Sequence, residues 1–241
     1  MKELTLANFP LALRVVFTSF LLTIGVGLMM AGAQIMMTHG MADGKVGLSL
    51  DDVVYSYYGN KNGSKIEGKL NGSMQAMAPD EVRLDIIKWA RSGADEAQWE
   101  PKYKAVFAQY CAICHSAEQT ALPNFTQYES VKHVAETDNG ASFSSLIRVS
   151  HIHLFGISFI FMFVGAIFAF ARFNQMWKLV LIMTPFAFLI IDVLSWWLTK
   201  LNPNFAWLTI IGGFGYSVAA GIMLFTSLAQ MWLPRFRKDS V

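Results

Sequence analysis

The sequence predicts an all-α membrane protein, with four transmembrane helices and a small helical domain inserted between helices 1 and 2. Three observations predict it. Of 241 residues, 54% are apolar and 15% charged, with a mean hydropathy of +0.39, whereas a soluble domain averages about 25% charged. Four windows are nearly free of charge: residues 15–37, 149–171 and 201–233 hold no Asp, Glu, Lys or Arg, and residues 179–199 hold only Asp192. At about 1.5 Å rise per residue, some 20 such residues cross a hydrocarbon core of about 30 Å. Finally, 25 of the 36 charges fall in one polar segment, residues 39–148, which carries 14 acidic and 11 basic side chains. This composition excludes intrinsic disorder, a disulfide-stapled miniprotein and a transmembrane β-barrel, whose strands alternate over about 10 residues. A net charge of +2 with no basic stripe argues against nucleic acid as a partner.

The first span belongs to residues 1–38. Ala31-Gly32-Ala33 resembles a signal-peptidase site, but the apolar run continues past it to Met37, so the segment is read as a signal anchor. Lys2 and Arg14 precede or open this span, Arg172 and Lys178 separate the second and third spans, and Arg235, Arg237 and Lys238 follow the fourth. By the Lys/Arg bias of short loops, these seven basic residues mark the cytoplasmic side of a bacterial inner membrane and put residues 39–148 in the periplasm. Residues 149–241 form a three-helix membrane domain. Gly213, Ser217 and Gly221 on the fourth helix, with Gly165 and Ala169 on the second, predict close helix packing. Pro185 predicts a kink about two turns before Asp192.

Both cysteines fall in one motif, Cys111-Ala112-Ile113-Cys114-His115, which has the C-x-x-C-H spacing of covalent c-type haem attachment. The two thiols add to the haem vinyl groups as thioethers, and the adjacent histidine becomes the proximal iron ligand. Two alternatives stay open: a redox dithiol, which does not need the histidine, and half of a zinc site, which lacks its second pair here.

The flanks have a family likeness. Residues 103–110 read as a short amphipathic helix, with Val106 and Tyr110 apolar, leading into Cys111. Residues 79–92 read as a second helix: Pro79 opens it, Asp80 and Glu81 occupy its first turn, Val82, Ile86 and Trp89 line one face, and Gly93 stops it. Together with Asn71-Gly72-Ser73-Met74 and Met77 ahead of it, and with residues 122–131 and 142–146 after the motif, this resembles a class I-type cytochrome c, circularly permuted so that the Met-and-helix piece precedes C-x-x-C-H. The resemblance implies a membrane-anchored monohaem cytochrome with residues 39–148 as its haem domain and one covalent haem c on Cys111, Cys114 and His115. It also implies a distal ligand from Met74, or in second place Met77; a histidine (His133, His151 or His153) or an open site are the other choices. Ligand identity sets the potential.

The remaining histidines and one carboxylate are weighed on the membrane. His39 closes the first span beside Met36, Met37 and Met41, soft donors that suit Cu(I), although Met-rich helix ends also simply meet lipid. His133, in a polar stretch, reads as a surface side chain. His151 and His153 enter the second span at i and i+2, on different sides of the helix. Asp192, about 20 Å into the third span, shares their depth, with His151, His153 or Trp196 as candidate partners. Three roles compete for this cluster: a tie between helices, a site accepting protons from quinol, or a second metal or haem b on transmembrane histidines.

The function expected is electron transfer within a respiratory assembly, from a membrane donor such as quinol to a periplasmic or membrane acceptor. Lipid, redox partner proteins and a larger complex or oligomer are its expected partners. A haem-containing structural or sensory subunit and a copper-handling membrane protein are the alternatives.

Overall fold

A computed structural model describes residues 4–38, 40, 47–119 and 122–233, and these form two compact units, Met1–Gln34 with Phe143–Val241 and Ile35–Ser142. The fold is all-helical, with no strand among the described residues.

The first unit contains four helices long and apolar enough to cross a membrane: α1 (Leu11–Thr38), α7 (Phe143–Ala169), α8 (Gln175–Leu201) and α9 (Ala206–Trp232). The protein is therefore a multi-pass membrane protein in contact with the lipid bilayer, and large side chains such as Phe214 and Phe225 point outward to it. A span of 27 residues is about 40 Å long, so each end extends beyond the hydrocarbon. This explains why α7 starts at Phe143, well before the charge-free window: exposed Arg148 keeps its guanidinium in the polar zone while the helix hydrogen bonds continue through it. Of residues 142–146, expected to close the haem-domain likeness, 143–146 are instead the first turn of this membrane helix.

One end of the bundle is tied by polar contacts. Arg14, in the first turn of α1, is buried; its Nη1 donates to the Met231 carbonyl at 3.1 Å and its guanidinium lies 4.8 Å over the Trp232 ring. A cation there satisfies a terminal carbonyl and meets the negative end of the helix dipole. Gln230 pairs both ways with the backbone of Arg172, and Lys178 Nζ donates to Ala169 O, so Arg14, Arg172 and Lys178 share that end. α1 packs through Phe17, Phe20, Leu21 and Ile24 against α7 and α9, and from Val26 to Met37 it is exposed except at Leu28.

The seam between α8 and α9 differs from the expected stripe. A Cβ on Gly212 would lie 2.7 Å from Asp192 Cβ, and one on Gly215 would lie 2.4 Å from the Phe188 ring, whereas Ser217 is exposed and Gly221 has nothing within 4 Å. The close approaches to α8 are at Gly212 and Gly215, three residues apart. α8 runs unbroken through Pro185, which is buried.

In the second unit, α2 (Leu50–Tyr57), α3 (Lys65–Asn71), α4 (Asp80–Arg91), α5 (Lys104–Tyr110) and α6 (Tyr128–Ala135) surround an aromatic core. α4 follows the sequence expectation: Pro79 caps it, Ile86 and Trp89 are buried, and Gly93 leaves it at φ +99°. A π-helical turn, Trp99–Tyr103, precedes α5 and brings Trp99, Tyr103 and Phe107 into one buried row. Tyr103 stacks on Trp89 at 4.3 Å, and Phe107 contacts Trp99 at 5.5 Å and Phe125 at 5.8 Å. This row, rather than Val106 and Tyr110, forms the main buried face leading into Cys111.

Candidate functional site

α5 delivers the motif to a tight double turn. The N–H groups of Cys111 and Ala112 both bond Phe107 O at 2.9 Å, ending the helix, and those of Cys114 and His115 fold back onto Cys111 O at 3.2 and 2.9 Å. Cys111 is half-buried against the aromatic core and Cys114 is exposed. Burial pushes the Cys111 thiol up to about 11; it is therefore protonated at neutral pH, unlike the low-pKa attacking thiol of a redox dithiol.

His115 is held by its ring. Its Nδ1 lies 3.0 Å from Pro123 O, its plane stacks on Phe125 at 4.2 Å and 10°, and the Phe125 N–H returns a bond to His115 O at 2.8 Å. A carbonyl can only accept, so Nδ1 carries the hydrogen and Nε2 offers its lone pair, the arrangement that prepares an imidazole to ligate a metal. Ile113 is 82% exposed and Leu122 43% exposed, placing uncovered apolar surface on both flanks of the turn.

The other sequence candidates in this unit are spread over its surface. Met74 follows α3, with its N–H on Lys69 O, and is at the edge of exposure; Met77 is more exposed. His133 is exposed on α6. A cleft of about 290 Å³, lined in part by Tyr55, Asn60, Lys65, Lys69 and Asp138, contains no residue of the motif.

In the membrane unit, Asp192 is 4% exposed on α8. Trp196 Nε1 donates to its Oδ1 at 3.1 Å, and Tyr216 from α9 adds a side-chain hydrogen bond. Of the candidate partners, Trp196 thus touches it directly. His153 reaches the cluster only through Trp196, edge to face at 5.0 Å, with its own Nδ1 on Val149 O at 2.9 Å. His151 is exposed and lies against Phe155. Among the described residues no three His, Cys, Asp or Glu side chains converge as a metal site; His39 lies outside the described residues. Tyr216 was not singled out from sequence. Its signal is a lone phenol in a charge-free helix, but only the α8–α9 register tells that it faces Asp192.

Comparison with curated proteins and with solved structures gave no match. The family Aq_1264_TM, described as a transmembrane helical domain, matches residues 104–238, from the first residue of α5 through the motif turn and the last three membrane helices. That stretch is more than half of the chain, which therefore belongs to the Aq_1264_TM family.

Proposed function

We propose that the protein is a membrane-bound monohaem cytochrome c that relays single electrons between a membrane donor, such as quinol, and an acceptor on the outer side of a bacterial inner membrane. The observation that carries this reading is His115, sequence-adjacent to two cysteines at attachment spacing, with Nδ1 anchored on Pro123 and Nε2 left to ligate. Cys111 and Cys114 would hold the group as thioethers and His115 would be its proximal ligand, while Met74 is the first choice for the sixth position. The haem supplies one-electron chemistry. The chain's own part is to fix the imidazole, to cover one side of the site with the Phe107–Phe125 core, and to tether it to four spans. The raised Cys111 thiol argues for this reading over a dithiol oxidoreductase.

The positioning of Arg14, Arg172 and Lys178 at one end of the bundle supports cytoplasmic termini and a periplasmic haem domain.

The test is a pyridine haemochrome spectrum of the full chain made in a host that matures c-type cytochromes. One covalent haem c per chain is expected, lost in Cys111→Ala with Cys114→Ala. Absence of covalent haem would refute the proposal. Met74→Ala, compared with Met77→Ala, should abolish low-spin ligation selectively.

A further inference from the structure

We propose that Asp192 is a proton-exchanging site inside the membrane, filled and emptied through a row of buried hydroxyls that opens at the end of the bundle where α7 begins. The inference stands on the membrane unit alone and does not rest on the haem reading. A carboxylate facing hydrocarbon is costly, and such residues serve proton paths when protic groups connect them to water. Asp192 meets two donors, Trp196 Nε1 and the Tyr216 hydroxyl, and makes no salt bridge among the described residues. Its surroundings thus provide for the charged form by hydrogen bonding and for the neutral form by the absence of a cation.

The row runs in one direction. Asp192, Ser195 and Thr199 occupy one buried face of α8 at i, i+3 and i+7. Ser195 Oγ donates to the backbone carbonyl of Asp192 at 2.6 Å and lies 2.6 Å from Thr209 Oγ1 on α9, so the step from this hydroxyl pair to the Asp192 carboxyl needs a bridging water. Thr199 Oγ1 is fully buried and has no hydrogen-bond partner among the described residues, and a buried hydroxyl in that state calls for water. By helical rise Asp192 lies about 13 Å from Leu201 at the helix end and Thr199 about 3 Å from it. That end adjoins the start of α7, since Phe143 packs on Trp197 and lies under Lys200. Towards the other end the same face continues as Leu189 and Pro185, both buried and neither able to carry a proton. Hydroxyls donate and accept, so they and bridging water can pass a proton where those two residues cannot.

The titratable groups on the packed elements are Tyr216 on α9, His153 with exposed Arg148 and His151 on α7, and, on α8 itself, Lys200 two turns along and Lys178 at the far end on Ala169 O. Arg14 of α1 is held at the opposite end, on Met231.

Infrared difference spectroscopy on the full chain in liposomes, with ¹³C-labelled aspartate, tests this. The expected result is a protonated carboxyl band that is missing in Asp192→Asn, shifts on transfer to D₂O and fades as bulk pH is raised. Its exchange should be severalfold slower in Thr199→Val and Ser195→Ala. A band that neither exchanges nor titrates, no Asp192 band at any pH, or unchanged exchange in both hydroxyl variants would overturn it. Asn preserves an acceptor for Trp196; if that variant does not accumulate, wild type against Thr199→Val still decides.

Discussion

At the scale of single residues, two side chains have their chemistry set by one neighbour each. His115 owes its tautomer to Pro123 O, and Cys111 owes its raised pKa to the apolar core behind it. In haem-free protein carrying Cys114→Ser, alkylation of Cys111 by iodoacetamide should be slow at pH 8, where about one thiol in a thousand is ionised for a group near 11, and should keep accelerating up to about pH 11. The sign for stability follows from the same shift. The unfolded thiol ionises near 8.5 while the folded one stays protonated, so haem-free protein should lose stability as pH rises from there to about 11, read by chemical denaturation. The sequence made Asp192 conspicuous as a lone charge in an apolar window, but not its partners: at i and i+2 the two histidines had to diverge, and which one approached depended on the rotation of α7 about its axis.

Elements were legible where hydrophobic length or capping chemistry dominates. The four spans and α4 follow directly from apolar runs and from Pro79, Asp80 and Glu81. Seams were less legible, because Gly212, Gly213 and Gly215 stand close together and either register offers a small-residue stripe; side-chain volume on the facing helix decided it. Gly212→Ala should therefore drive a methyl into Asp192 and destabilise the α8–α9 pair by about 1–3 kcal/mol. Gly213→Ala, whose Cβ would meet only Tyr216 Oη at 3.7 Å, should be nearly neutral. Unfolding in detergent with increasing SDS separates the two. The aromatic row before the motif carries a sequence signal of its own: Trp99, Tyr103 and Phe107 recur every four residues. Phe107→Ala, emptying a fully buried site, should cost about 3–5 kcal/mol of stability in that unit by thermal unfolding.

At the scale of the whole molecule, a soluble-like helical unit is threaded between the first and second spans of a membrane bundle. If residues 39–148 lie outside, protease added to intact spheroplasts should cut within them and spare the α7–α8 connection near Arg172; cleavage there would reverse the proposed orientation.

The Arg14 clasp sets a timetable as well as a contact. Its acceptor, Met231 O, lies 217 residues downstream, which at about 5–20 residues per second is some 10–40 s of synthesis. Throughout that interval the Arg14 guanidinium lacks that acceptor. The clasp between α1 and α9 therefore closes only once α9 has been made, and a chain truncated before α9 is left with a first helix whose basic end has no lock to close.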